Sequence, residues 1–403
     1  MRTLISFAAL FASIAFVQLG SGSLGPLDAL AGAARGFSTQ EIGALGSAHF
    51  IGFFIGCWLT PRLLGTVGHA RAFAAFGAIG AIAALLHPVM IDPIAWAVLR
   101  VGSGMAVAGA YTIAESWIQA KATNATRGRV VGAYRVVDMS ASVVAQGLVA
   151  VLDPTAYVAY NLIAVLCCLS LLPLTLTTSR PPPSPIAPRL RPLHVFKVSP
   201  LGAVSVMVVG LTNSSFRMVG PVYALAAGLA PAEIGLFMAA GVGGGALAQW
   251  PSGWLSDKFD RRKVLIGVSL ASLLVCIAIA SGGLGGAVYF ASFAFGAAAF
   301  PLYSIATAHA NDFAKPDEIV ELNASLMFLY GVGAIVSPLL AASLIDGYGP
   351  AALFTYIGLA HVFLILFSIW RMTRRPAVIE KTEHAYVPRT SFTFARVFKP
   401  WRK

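Results

Sequence analysis

Apolar runs of roughly 20 residues, separated by short polar segments, recur along the whole 403-residue chain. At 1.5 Å per residue each run is long enough to cross a hydrocarbon layer of about 30 Å as a helix. A helix also satisfies its own backbone hydrogen bonds, which lipid cannot do. The pattern predicts twelve such helices, over 4–33, 43–61, 72–91, 94–120, 130–151, 156–177, 200–226, 233–252, 264–282, 286–309, 320–345 and 350–371. After the sixth it breaks at "TTSRPPPSPIAPRLRPLHVFKVS", whose prolines forbid helix and favour an extended, semi-rigid linker. The predicted organisation is a six-helix half over 1–177, a Pro-rich linker over 178–199, a second six-helix half over 200–371 and a basic tail over 372–403. The fold class is all-α integral membrane, with twelve transmembrane helices in two six-helix pseudo-symmetric halves.

Composition agrees with that pattern. The chain is 58% hydrophobic and only 11% charged, against about half and a quarter for a soluble domain. The first stretch, "MRTLISFAALFASIAFVQLG", has signal-peptide character, but its length and the spans that follow favour an uncleaved first helix. Cys57, Cys167, Cys168 and Cys276 lie in apolar runs without a CxxC or a neighbouring His. They are expected to be small core residues, and no metal or cofactor is expected.

Charge sets the orientation. With both termini in the cytoplasm, 24 of the 28 Lys and Arg fall in cytoplasmic segments. Arg35 alone faces outside, and Arg100, Arg135 and Arg217 lie within spans. This positive-inside asymmetry accounts for the net charge of +12 without a nucleic-acid partner. The basic tail is expected to meet anionic lipid headgroups.

The two halves carry a repeat. "GFSTQEIGALGS" from Gly36 matches "GLAPAEIGLFMA" from Gly228 at an offset of 192. Each follows a span containing Gly-Pro, Gly25-Pro26 and Gly220-Pro221, and each leads into a Gly-rich helix and a basic loop. Parallel repeats of this kind are a transporter plan, with the substrate site at the midplane.

"GWLSDKFDRRKVL", from Gly253, packs six charges into thirteen residues. Gly253 is expected to let a neighbouring helix approach closely. Asp257 ends its helix, where a carboxylate can pair with Arg or accept from another helix's N-terminus, expected near Arg129 and Val130. Arg261, Arg262 and Lys263 are expected to hold the loop inside. With these and the twelve spans in view, the chain resembles the major facilitator superfamily over almost its whole length. The stretch resembles that family's loop signature G-x-x-x-D-x-x-G-R-R, with Asp260 in place of the second Gly. In the first half, Gly65 stands where Asp257 stands in the second, so the second loop is expected to carry the latch alone. Arg100 and Gly104 of "RVGSGMA" fit the family's fourth-span pattern R-x-x-x-G, which the resemblance ties to proton coupling. The fifth span lacks the G-P-x-x-G-G ending of the drug–proton antiporters. "AESWIQA" and "AHANDFAKPDE" look like a bacterial subgroup of inner-membrane permeases.

Ionisable groups inside a span are costly and normally face a partner or a cavity. Asp28 and Arg100 are both expected toward the outer side, where they can pair, with Asp28 as proton carrier. Glu115 and Arg135 come to similar depth in antiparallel spans and are expected to form an ion pair near the inner gate. Asp138, three residues from Arg135, shares its helical face. Arg217, with Asn213, Ser214 and Ser215 in the same span, is expected to contact substrate. His309, Asn311 and Asp312 end the tenth span and are expected to gate or cap it. Gln146 and Asn161 either line the cavity or bond between helices.

These features predict a monomeric bacterial inner-membrane secondary transporter. Proton-coupled uptake of a neutral or weakly anionic polar solute is the leading mode, a heterocyclic vitamin such as riboflavin being one instance. An exporter is the alternative within the class. A membrane enzyme calls for a His/Asp/Glu cluster at one interface, and a non-transporting receptor calls for a signalling domain; neither pattern is present in the sequence.

Overall fold

The computed structural model describes residues 7–122, 124–176, 190–282, 285–315 and 318–374, with the backbone alone at 119–120 and 124–129. All regular structure among these residues is helical. The first half of the chain forms α1 (Ala8–Ala34), α2 (Thr39–Val67), α3 (His69–Leu86), α4 (Pro93–Lys121), α5 (Asn124–Val151) and α6 (Tyr157–Thr175). A short α7 (Pro192–Val198) leads into α8 (Pro200–Ala226), α9 (Pro231–Lys258) and α10 (Arg261–Ala280). Then come α11 (Val288–Ala299), α12 (Leu302–Asn311), α13 (Ile319–Tyr348) and α14 (Ala352–Arg374).

Ten of these segments are long and apolar enough to cross a membrane by length and composition, with Gly285–Asn311 counted as one. The other two long helices, α5 and α8, have spanning length but carry more polar residues. Val136 and Val144 of α5 are exposed apolar side chains, as on a lipid-facing helix. Most of α8 is buried, including its polar Thr212, Asn213, Ser214 and Ser215.

The chain separates into two compact units. One takes in the described residues of 1–37 and 48–189, the other those of 38–47 and 190–387. Ser38–Ser47 joins the second unit because Gly43 and Gly46 of α2 lie against Pro338 and Ala342 of α13. A Cβ on either glycine would fall under 3 Å from those residues.

The repeat read in the sequence has a structural counterpart inside each unit. In α2, Gly52 lies so close to α4 that a Cβ would be 1.9 Å from the Val101 carbonyl oxygen; in α9, Gly244 would meet the Phe293 oxygen at 2.0 Å. Conversely, a Cβ on Gly104 of α4 would lie 1.9 Å from the His49 oxygen, and one on Gly296 of α11 would lie 1.7 Å from the Gly241 oxygen. All four correspondences hold at the same offset of 192 as the sequence match. Small residues bring helices into backbone contact, and both units use the same crossing. The shared E-I-G has a local cause: Glu41 accepts from the Ser38 amide at 2.7 Å and Glu233 from the Ala230 amide at 2.8 Å. Each carboxylate thus satisfies a free N–H at a helix start. Gly36 and Gly228, at φ 83° and 88°, reverse the chain after the preceding helix, as a glycine at that position does.

Three expectations change. The Pro-rich linker was expected to be extended throughout, yet 192–198 is helical, because Pro192 occupies the first helical position, where a missing N–H costs nothing. The rest of the linker to residue 189 and the tail beyond 374 lie outside the described residues. Cys168 is exposed and Cys167 half-buried, so only Cys57 and Cys276 are core residues. Gly253 makes no close approach: a Cβ there would meet nothing within 4 Å, since Gly241 and Gly244, farther back along α9, make the helix contact.

Candidate substrate and proton site

Asp28 lies inside α1, nearly two turns from its end, and is 1% exposed. Three elements of the first unit bring partners to it. From α4, Arg100 places Nε 3.6 Å from Asp28 Oδ2. From the end of α3, His87 places Nε2 3.3 Å from the same oxygen. From α6, the Tyr160 hydroxyl donates to Asp28 Oδ1 at 3.0 Å. Arg100, His87 and Tyr160 are all at or below 1% exposure.

Local sequence builds this site. Asp92 caps α4 by accepting from the Ala95 amide at 2.8 Å, with Pro93 opening the helix. That turn presents Trp96, whose indole N–H donates to the His87 carbonyl at 3.0 Å and locks the α3–α4 connection. The His87 ring stacks on Tyr160, centroids 5.4 Å apart at 13°, and tilts against Trp96 at 5.1 Å. Phe37 and the Arg35 guanidinium cover Trp96 from the far side, and Arg35 also donates to the Thr155 carbonyl at 3.1 Å. Asp28 and Arg100 therefore meet as the sequence suggested. Neither His87 nor Tyr160 was foreseen.

A second polar group lies closer to the other end of the same unit. The Tyr111 hydroxyl of α4 lies between Gln18 Oε1 of α1 and Asp138 Oδ1 of α5, 2.5 Å from the latter. One hydroxyl holds one proton, so it can serve only one of the two oxygens. Turning the Gln18 amide lets its NH2 donate to Tyr111, which leaves the hydroxyl proton for Asp138. Gln146 donates to the Gly22 carbonyl at 3.0 Å, so it bonds between helices. Asn161 is half-buried on α6. Glu115 is wholly buried and accepts from the Tyr134 hydroxyl at 3.2 Å. Arg135 is half-buried, its guanidinium 5.6 Å from the Tyr134 ring centroid, so Tyr134 sits beside both predicted partners.

In the second unit, Asn213 and Ser214 of α8 are buried, and Asn213 Oδ1 finds no hydrogen-bond partner among the described residues. Ser215 bonds to Ser337 of α13, and the Ser337 hydroxyl donates to the Leu211 carbonyl at 2.7 Å. Arg217 is half-buried with its guanidinium 4.9 Å from the Phe300 ring centroid, a cation–π contact.

The charged loop has a different centre from the one expected. Asp257 is 59% exposed at its side chain and meets Arg261, one turn on, at 3.5 Å. Arg261, expected to hold the loop inside and to serve the gate, is buried at 3% and also reaches Asp312, itself nearly buried, at 3.5 Å. Arg261 thus ties the start of α10 to the end of α12. Asp260 explains the departure from the family's Gly. Its carboxylate accepts from the Arg262 amide at 3.0 Å to cap α10, and from the Arg262 guanidinium at 2.8 Å. That guanidinium, and then the amide, hold the Asp260 carboxyl below the usual carboxylate range against the opposing effect of burial. His309 is buried against Phe313, ring centroids 5.1 Å apart, and Asn311 accepts from Asn323 of α13 at 2.8 Å.

The fold and these buried charges define a multi-pass helical membrane protein with ionisable groups held inside its bundle. The model of the Major Facilitator Superfamily matches residues 202–402. An MFS-type transporter of Enterobacter sp. strain 638 is 27% identical over 336 residues, covering 81% of this chain and 86% of its own. The MFS-type transporter YcaD of Escherichia coli O7:K1 is 28% identical over 334 residues, covering 82% and 86%. Among solved structures, the nucleoside transporter NupG aligns with a TM-score of 0.75 at 15% identity, covering 93% of this chain and all of that one. The D-xylose-proton symporter aligns with a TM-score of 0.72 at 14% identity, covering 95% of this chain and all of that one. The chain is thus similar to the major facilitator superfamily through the family model over its second half and through MFS-type relatives over about four fifths of its length.

Proposed function

We propose that this protein is a proton-coupled secondary transporter of the bacterial inner membrane, with both termini cytoplasmic. It carries a small polar organic solute by alternating access of two six-helix halves, twelve spans in all. The observation that carries the reading is the Asp28–Arg100 ion pair, wholly buried within one helical unit. A carboxylate in that position is costly unless it is paired or protonated, which makes it a group whose proton can be linked to conformation. In the second unit Arg217, Asn213 and Ser214 on α8 supply candidate solute contacts; in the first, Asn161 does, with the Gln146 carbonyl oxygen left over from its bond to Gly22. Glu115, Arg135, Asp138, Asp257, Arg261, Arg262, His309 and Asp312 serve the gates.

The structural neighbours support the solute class. Nucleosides and xylose are uncharged and hydroxyl-rich, and one of the two neighbours is a proton symporter by name. A heterocycle bearing a polyol, as in nucleosides or riboflavin, fits amide and hydroxyl groups better than a strongly charged solute does. The test is uptake of a labelled panel of nucleosides, pentoses and riboflavin by cells carrying or lacking the protein, with and without a protonophore. Protein-dependent accumulation that collapses with the protonophore supports the reading. Accumulation indifferent to the protonophore removes the coupling.

A further inference from the structure

We propose that His87 and Asp28 hold one transferable proton between them, so that the coupling group is a histidine–carboxylate pair and not the carboxylate alone. Its meaning for transport rests on reading Asp28–Arg100 as the coupling site; its chemistry rests on the geometry.

His87 Nδ1 lies 2.6 Å from the Ala83 carbonyl oxygen. A carbonyl oxygen only accepts, so Nδ1 carries a hydrogen. Nε2 then carries either a lone pair or a second proton. It faces Asp28 Oδ2 at 3.3 Å, with both atoms shut off from solvent and without another hydrogen-bond partner. A neutral imidazole beside an ionised carboxylate would set two lone pairs against each other in a dry site. One proton between Nε2 and Oδ2 turns that repulsion into a charge-assisted hydrogen bond. Whether it rests on nitrogen or oxygen, the count is the same, and such a pair titrates as a unit.

The groups around the pair fix its balance. Arg100 faces Asp28 Oδ2 from α4, and Tyr160 donates to Oδ1 from α6. His49 of α2 is buried where α2 crosses α4, and the Arg35 guanidinium lies 5.7 Å from the Trp96 ring centroid. With the proton bound, Asp28, His87 and Arg100 together carry one positive charge; without it they are neutral. When the proton leaves to water, no other bond changes, but the link between α1 and the α3–α4 connection is lost and the two lone pairs repel. The geometry described is therefore that of the proton-loaded site. The stacking of His87 on Tyr160 and Trp96 keeps Nε2 aimed at Asp28, which makes it a positioning contact.

The test uses the purified full-length protein in detergent, labelled with nitrogen-15 histidine, among only seven histidines. His87→Gln assigns the His87 signal, and Asp28→Asn assigns the Asp28 carboxyl band in the infrared. The two signals of the wild type should change over one common pH interval and report one proton. In Asp28→Asn the His87 signal should no longer change over the wild-type pH interval, and in His87→Gln the Asp28 band should likewise leave it. Independent changes in both variants overturn the proposal. If neither variant folds, the wild type decides: one histidine signal and one buried-carboxyl band that change together over one pH interval support it, and the absence of any such shared change overturns it. Protonophore-insensitive uptake would remove the coupling reading and leave the shared proton standing. Unlinked titrations would remove the shared proton and leave the coupling reading.

Discussion

Gly104→Ala separates the two parts of the R-x-x-x-G pattern. The added Cβ would sit 1.9 Å from the His49 carbonyl oxygen and 2.9 Å from the Phe53 amide nitrogen, both backbone atoms that cannot rotate away. Real Cβ contacts essentially never fall under 3.0 Å, so α2 and α4 would have to part by at least about 1 Å. A gap of 0.5–1 Å forfeits roughly a quarter to a half of each dispersion contact along the seam. Overpacking of this kind costs about 1–3 kcal/mol. The matched substitution Gly296→Ala, against the Gly241 oxygen at 1.7 Å, should cost a similar amount. The position matching Arg100, however, is Ser292, which donates to the Phe237 carbonyl at 2.7 Å and carries no charge. The crossing is thus common to both units and the charge belongs to one. Thermal unfolding of the detergent-solubilised protein, followed by thiol-reactive fluorescence, should show both Gly→Ala variants lowered by several degrees. Protonophore-sensitive uptake should vanish in Arg100→Gln and persist, at reduced protein yield, in Gly296→Ala. A Gly104→Ala protein with unchanged melting temperature would refute the packing argument.

Arg261→Gln should destabilise the protein by about 3–5 kcal/mol by leaving Asp312 buried without its guanidinium, and adding Asp312→Asn should recover much of the loss in the same melting assay. Asp257→Asn, at a largely exposed carboxylate, should change stability by under about 1 kcal/mol. Asp260 is held below the usual carboxylate range, so its charge stabilises the fold above about pH 4 and is lost as pH falls through the lower folded-state value. Asp260→Asn keeps the cap and loses the charge, so its melting temperature should fall slightly at pH 7 and converge with wild type in acid. Arg217→Lys keeps the charge but loses the planar fork, so it should weaken solute affinity while leaving membrane insertion intact; wild-type affinity in a binding assay would remove Arg217 from the site.

The spans were legible because each apolar run is long and its flanking charges are short and one-sided. The repeat was legible from E-I-G, and its cause, a glutamate reaching back to a helix start, is local. Asp28 and Arg100 could be paired from depth alone. His87 could not, since it lies near the end of the predicted span 72–91 with no charge beside it, and its role depends on Asp28 arriving from α1 and Tyr160 from α6. Tyr160 and Tyr111 look like ordinary aromatics of apolar runs until their hydroxyls are placed. Arg261 reads as one of three basic residues in a row, and only the return of α12 with Asp312 makes it the buried one. Gly253 misled because its signature position says nothing of which glycines of α9 face α11; that is set by helix phase, and Gly244 has it.

Proton-driven transport through Asp28, paired with His87 and Arg100, is the proposed function. It is tested most directly in proteoliposomes without an ion gradient, by adding a solute found to be carried and recording external pH with an impermeant dye. Wild-type protein should take up protons with the solute and alkalinise the medium, and Asp28→Asn should exchange labelled solute with no pH change. Equal alkalinisation by wild type and Asp28→Asn would contradict the account.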